Sequence, residues 1–116
     1  MSDNLEYTLT ELEGVKLVEA SGYISVNTQM KFEDFIDKIT DTDNVIIDMK
    51  SVSLLTAAGI ESLVELSQNA YKKGRRVVLA CIKPEVKDIA VMLSLYQFLI
   101  FAETREEALL KIRYYT

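Results

Sequence analysis

A chain of 116 residues, 49% hydrophobic and 27% charged, is sized and composed as one globular domain, predicted to span residues 1–116. Its formal net charge of −5 argues against a nucleic-acid surface, which needs clustered cations. One cysteine and no histidine exclude an internal disulfide, a Cys/His zinc site and any Ser-His-Asp or Cys-His nucleophile system.

The first segment, Leu5 to Leu12, alternates loosely, with Leu5, Tyr7 and Leu9 against Glu6, Thr8 and Thr10, the pattern of a half-exposed strand. Gly14 marks a turn, and Val15 to Ile24 is predicted to return antiparallel as the second arm of a hairpin. Ser25-Val26-Asn27-Thr28 reads as a loop in which Asn27 and Thr28 can cap the next helix. In that helix Phe32, Phe35, Ile36 and Ile39 follow i, i+3, i+4, i+7 spacing, and the polar run from Thr40 to Asn44 ends it.

The chain is organised around Val45 to Ile60. Val45-Ile46-Ile47-Asp48-Met49 is an apolar, β-branched run too short for a helix, as expected for a strand covered on both faces. A short loop, Ser53 to Ala58, is predicted to feed a helix starting near Thr56, with Leu55 and Ile60 at the two positions of a hydrophobic staple. Ile60, Leu63, Val64, Ala70 and Tyr71 supply that helix's apolar face. Its N-terminus offers free N–H groups and a positive dipole end, a place for an anion or for a hydroxyl that becomes phosphorylated. Lys72, Lys73, Arg75 and Arg76 cluster at the other end, where cations favour the dipole, and Gly74 suits a left-handed residue just past the helix.

Val77 to Ile82 reads as another buried strand, with Cys81 as a structural thiol inside it. Pro84 fits the first position of a helix whose buried face is Val86, Ile89, Ala90 and Leu93. Phe98 to Ala102 reads as a last strand. Thr104-Arg105-Glu106-Glu107 has the form of a capping box, after which Ala108, Leu109 and Ile112 face inward. The predicted order is ββαβαβαβα: an α/β fold whose mixed, mostly parallel sheet begins with an antiparallel hairpin and carries four helices. The N-terminus has no signal-peptide core and no apolar run reaches membrane-spanning length, so the expected compartment is the cytoplasm, without direct membrane insertion.

This layout resembles the STAS domain, the family of bacterial anti-sigma-factor antagonists, over nearly the whole chain. The resemblance is carried by Val45-Ile46-Ile47-Asp48 followed by Leu54-Leu55-Thr56-Ala57-Ala58-Gly59-Ile60, by Ser21-Gly22-Tyr23-Ile24-Ser25 against the family's Gly-x-Leu-Asp element, and by the Lys83-Pro84-Glu85-Val86 and Phe101–Leu109 segments. In the family the loop often reads Asp-Ser-Ser-Gly. The Ser before the Gly is phosphorylated by a partner that is both a histidine-kinase-like serine kinase and an anti-sigma factor. Aligned on Gly59, this chain has Ala58 at the phosphoacceptor, Ala57 before it and Thr56 at the Asp position, and Ser25 stands where the second element has its Asp. Alanine has no oxygen to take a phosphate. Either the loop binds a partner without being switched there, or Thr56, and more weakly Ser53, is an alternative acceptor.

The resemblance implies a regulatory binding module that occludes a kinase-type anti-sigma factor and so frees a sigma factor. Its expected surface comprises Ser25, Asn27, Thr28, Ser53, Leu54, Leu55, Thr56, Ala57, Ala58, Gly59 and Ile60, with Glu61 and Glu65 on the exposed side of the helix. The same fold also serves as an accessory subunit that supports the ATPase of a lipid-transport ABC complex. Homodimerisation is compatible with both. Catalysis is not expected: the chain lacks a Gly-rich phosphate loop, a histidine and a carboxylate pair, and Asp48 reads as a loop-anchoring acceptor. No cofactor is implied, and nucleotide binding would have to use the Thr56–Gly59 helix start.

Overall fold

The computed structural model describes residues 4–115, so both ends of the predicted 1–116 domain lie outside the described residues. The elements follow the predicted order: β1 (Leu5–Leu12), β2 (Val15–Ile24), α1 (Gln29–Thr40), β3 (Val45–Leu55), α2 (Ala57–Lys72), β4 (Val77–Ala80), α3 (Pro84–Met92), a 3-10 turn (Tyr96–Phe98), β5 (Ile100–Ala102) and α4 (Arg105–Tyr115). The five strands lie side by side in chain order; β1 and β2 pair antiparallel and every later pair is parallel.

Strand alternation sends side chains to two cores. Val45, Ile47 and Met49 enter the larger one, with Phe32 and Ile36 of α1 and Ile60, Leu63 and Leu66 of α2. Ile46 enters the smaller one, with Leu17, Val78 and the inward face of α4, Ala108, Leu109 and Ile112. Two-sided burial is why the start of β3 is continuously apolar. β1 packs mainly on its inner face, where Tyr7 meets Phe32 and Phe35 at ring-centroid distances of 5.3 and 4.5 Å, and its last residue, Leu12, packs against the smaller core. Leu9, the third member of the predicted inner row, is exposed.

β3 is longer than the apolar run suggested. The segment from Ser53 to Leu55, read as the start of the loop, stays in the sheet, paired with β2. β4 pairs with β3 only over Val45 to Asp48, so past Asp48 β3 has one strand neighbour and its pattern turns polar. The pairing with β2 shifts register twice, each time with one extra residue on β3. These bulges stretch the inward spacing from two to three, so that Val45, Ile47, Met49, Val52 and Leu55 all face the larger core. The second bulge also leaves Leu54 outside, at 44% exposure.

Other boundaries moved for local reasons. β4 ends at Ala80 because Cys81 adopts φ 59°, leaving the strand while its N–H still bonds Ala102 O at 3.0 Å. Cys81 is therefore half-buried beside the sheet rather than inside a strand. Phe98 belongs to the 3-10 turn, which delays β5 to Ile100. Of α3's predicted inner face, Ala90 is buried, Val86 and Ile89 are partly so, and Leu93 is the exposed C-cap. Tyr71 is 67% exposed rather than on the apolar face of α2, and the Arg76 guanidinium lies 4.7 Å from its ring centroid.

The end of α2 is closed by the predicted glycine. Gly74 has φ 78°, Arg75 N–H reaches Ala70 O at 2.9 Å and Gly74 N–H reaches Tyr71 O at 3.0 Å, the paired bonds of a Schellman motif. At α4, Thr104 Oγ1 accepts from Glu107 N–H at 3.0 Å, one arm of the predicted capping box.

Candidate functional site

The candidate site is the junction of the β2 end, the β3 end and the first turn of α2. Thr56 is the N-cap, and its Oγ1 accepts from Gly59 N–H at 3.1 Å. The same hydroxyl donates to Ile24 O at 3.4 Å, and Thr56 N–H meets that carbonyl at 3.2 Å. The staple pair, Leu55 and Ile60, is buried in the larger core. Removing the cap oxygen should cost about 1 kcal/mol. A urea denaturation series on Thr56→Ala should therefore show a lower midpoint; an unchanged midpoint would contradict the cap.

Gly59 brings α2 against β2. A Cβ there would lie 2.3 Å from Ile24 O and 2.8 Å from Leu55 Cδ1, so only glycine allows this approach. Four residues beyond Ile24, the loop turns on Thr28, whose Oγ1 accepts from Ser25 N–H at 3.0 Å and donates to Tyr23 O at 2.8 Å. Thr28 is the N-cap of α1 by position, but its side chain makes no cap bond because the loop consumes it.

The predicted partner-binding residues divide by burial. Asn27, Ser53, Leu54, Ala57, Glu61 and Glu65 are exposed; Thr28, Thr56 and Ala58 are half-buried. Ser25, Leu55, Gly59 and Ile60 are buried and offer no surface, which corrects their assignment to a contact face. Leu55 and Ile60 are drawn in by the staple, and Gly59 by its approach to Ile24. A contact centred on Leu54, Leu55 and Ile60 thus reduces to Leu54 alone. Two apolar residues at the same end are exposed as well, Val26 at 68%, inside the predicted Ser25–Thr28 loop, and Met30 at 74%, which went unpredicted. Their signal was present: Val26 is apolar in a turn, and Met30 lies off the Phe32–Ile39 stripe.

Asp48 sits on the opposite face of the sheet, away from the strand end. It is 4% exposed, accepts from Lys50 N–H at 2.9 Å, and receives Arg105 of α4 through Nε at 2.9 Å and Nη2 at 2.8 Å. Arg105 Nη2 also lies 3.0 Å from Glu19 Oε2. The hydrogen bond to Asp48 raises the Arg105 pKa above its ordinary value, and Asp48 ties α4 to the sheet rather than anchoring a loop. Burial, then the Asp48 charge, pushes the Cys81 thiol up from its ordinary pKa. The thiol should therefore alkylate with iodoacetamide at pH 8.5 about threefold or more slowly than an unstructured cysteine peptide. Equal rates would contradict the burial.

Among the described residues no group of three His, Cys, Asp or Glu side chains could hold a metal ion, and no helix is long and apolar enough to cross a membrane. The site offers a helix N-terminus whose capping hydroxyl is engaged, two alanine methyls in its first turn, and apolar side chains around it.

Residues 6–108 match the family model of the STAS domain. The chain belongs to the STAS domain family. The fold agrees with solved STAS structures. An anti-sigma factor antagonist from Mycobacterium paratuberculosis matches with a TM-score of 0.80 at 21% identity, covering 97% of each chain. The unphosphorylated anti-sigma factor antagonist SpoIIAA matches at 0.73 and 14% identity, covering 93% of this chain and 96% of that one. The murine anion transporter Slc26a9 matches at 0.77 and 20% identity, covering 97% of this chain but 22% of the transporter. These likenesses establish the STAS fold, with its N-terminal antiparallel hairpin, parallel remainder and four helices.

Proposed function

We propose that this STAS domain is a non-catalytic regulatory module, an anti-sigma-factor antagonist type of protein that docks on a kinase-type anti-sigma factor and is not switched by phosphate at residue 58. The observation that carries this reading is the surface of the first turn of α2. Ala57 and half-buried Ala58 lie between exposed Leu54 and exposed Glu61, with Val26 and Met30 exposed at the same end. Apolar side chains rimmed by carboxylates form a docking surface, and two methyls leave a kinase no acceptor there. Thr56 is a poor substitute, since its hydroxyl holds Gly59 N–H and Ile24 O at once. Release of such a partner must then come from the partner's own state. The expected compartment is the cytoplasm.

The same two methyls suit a permanent subunit, which keeps the second reading in play: an accessory STAS subunit on the ATPase of a lipid-transport ABC complex. A pull-down from the source organism, with the bound proteins identified by mass spectrometry, separates the two. Capture of a histidine-kinase-like anti-sigma factor, with the chain's intact mass unchanged after ATP, is the expected result. Capture of an ABC ATPase would transfer the protein to the second reading. A mass increase of one phosphate would contradict the unswitched surface.

A further inference from the structure

The basic cluster at the far end of α2 is not used by this reading. The helix has 16 residues, so its C-terminus lies about 24 Å from the candidate site. There a groove of about 820 Å³ runs between α2 and the sheet edge, lined by Tyr71, Lys72, Arg76, Phe98, Leu99 and Ile100. Tyr71 and Phe98 are exposed, and Leu99 forms a buried floor. Among the described residues, Lys16, Lys73, Arg105, Lys111 and Arg113 pair with carboxylates, whereas Lys72 and Arg76 do not. Arg76 is pre-positioned: its guanidinium stacks on Tyr71, and Nη1 donates to Arg75 O at 3.0 Å. A stacked guanidinium keeps further N–H groups for a carboxylate. On a chain of net charge −5, an apolar groove with two unpaired cations is a local reversal of sign.

We infer that this groove docks an acidic, apolar peptide segment of a partner protein, with its carboxylate on Arg76 and Lys72 and an aromatic or aliphatic side chain between Tyr71 and Phe98. Charge complementarity selects the acidic partner, and the apolar floor selects its neighbouring side chain. The groove's two unpaired cations are fewer than the clusters of about four to eight that hold an anionic membrane surface. Strand addition along β5 is closed off, because Lys111 Nζ, itself 3.4 Å from Glu107, donates to Phe101 O on the outer edge. The segment therefore binds by side chains rather than as a sixth strand. Together with the α2 N-terminal surface, the groove would give the domain two separate contacts.

The test is selection of a phage-displayed random peptide library on the immobilised full chain, followed by fluorescence titration of the enriched peptides. Enriched peptides should carry Asp or Glu within three residues of an aromatic or aliphatic residue. Arg76→Glu and Lys72→Glu should each weaken their binding about tenfold or more, while Leu54→Ser should leave it unchanged. Lys72 is exposed at the end of the helix, so its variant tests the groove even if Arg76→Glu disturbs folding. No enrichment over bare support, peptides without an acidic residue, or affinity indifferent to both charge reversals would overturn the inference. So would co-sedimentation of the chain with phosphatidylglycerol vesicles, or a dimer that Arg76→Glu dissociates, each giving the groove a different occupant.

Discussion

Gly59→Ala is expected to lower the unfolding free energy by about 3 kcal/mol, at the upper end of ordinary overpacking costs. The added methyl would stand 2.3 Å from Ile24 O and 3.0 Å from its carbonyl carbon, both backbone atoms that cannot rotate away. Relief requires the start of α2 to lift off the β2 end. That movement stretches the 3.2 Å bond from Thr56 N–H to Ile24 O and loosens the cap on Gly59. Gly74 is the control: it has φ 78° with open space around its Cβ position, so Gly74→Ala should cost only the left-handed strain, about 1 kcal/mol. Urea denaturation of the three proteins measures both. A Gly59→Ala midpoint equal to that of Gly74→Ala would mean that α2 does not rest on β2 as described. For a domain with total stability of about 5–15 kcal/mol the expected loss is large.

Arg105→Ala should be about as damaging, near 3 kcal/mol, because it strands a buried charge. The Asp48 side chain is 5% exposed and would keep only neutral donors, Lys50 N–H and the Cys81 thiol. The Arg105 side chain is 34% exposed, so water partly replaces it, and this holds the cost to the low end of the range for broken buried pairs. Glu19, half exposed, is hydrated by solvent when Arg105 is removed. The double variant Asp48→Ala/Arg105→Ala should recover part of the loss, since it leaves no buried carboxylate unpaired. Thermal denaturation of the wild type, the two single variants and the double variant gives the coupling. Strict additivity would show that the pair is not the tie between α4 and the sheet.

Much of this architecture was legible in the sequence because its signals are local. The Phe32–Ile39 stripe, Pro84 at a helix start, Gly74 past a helix end and Thr104 before Glu107 each mark a helix by nearby chemistry. Thr56 was readable as a cap for the same reason. The signals that failed depend on neighbours distant in the chain. The continuation of β3 through Leu55 rests on pairing with β2, and its two bulges convert an alternation of two into a spacing of three that resembles a loop. The burial of Gly59 rests on how closely α2 approaches Ile24, which no local pattern encodes, whereas the staple of Leu55 and Ile60 was itself a signal that these two turn inward and away from a contact face. Asp48 was recognisable as an acceptor, but its partner, Arg105, lies 57 residues away. Cys81 looked like a strand residue because the apolar run continues past the turn that ends β4.

In the proposed function the first turn of α2, with its two alanines, is the contact surface and carries no switch. The most direct measurement is isothermal titration of the captured partner with the wild type, Ala58→Glu and Ala58→Ser. A carboxylate at 58 would put a charge into a desolvated contact, and a hydroxyl alone would not. Ala58→Glu should bind about tenfold or more weakly, while Ala58→Ser without ATP should stay close to the wild type. Equal affinity for wild type and Ala58→Glu would contradict this reading and move the contact elsewhere on the domain.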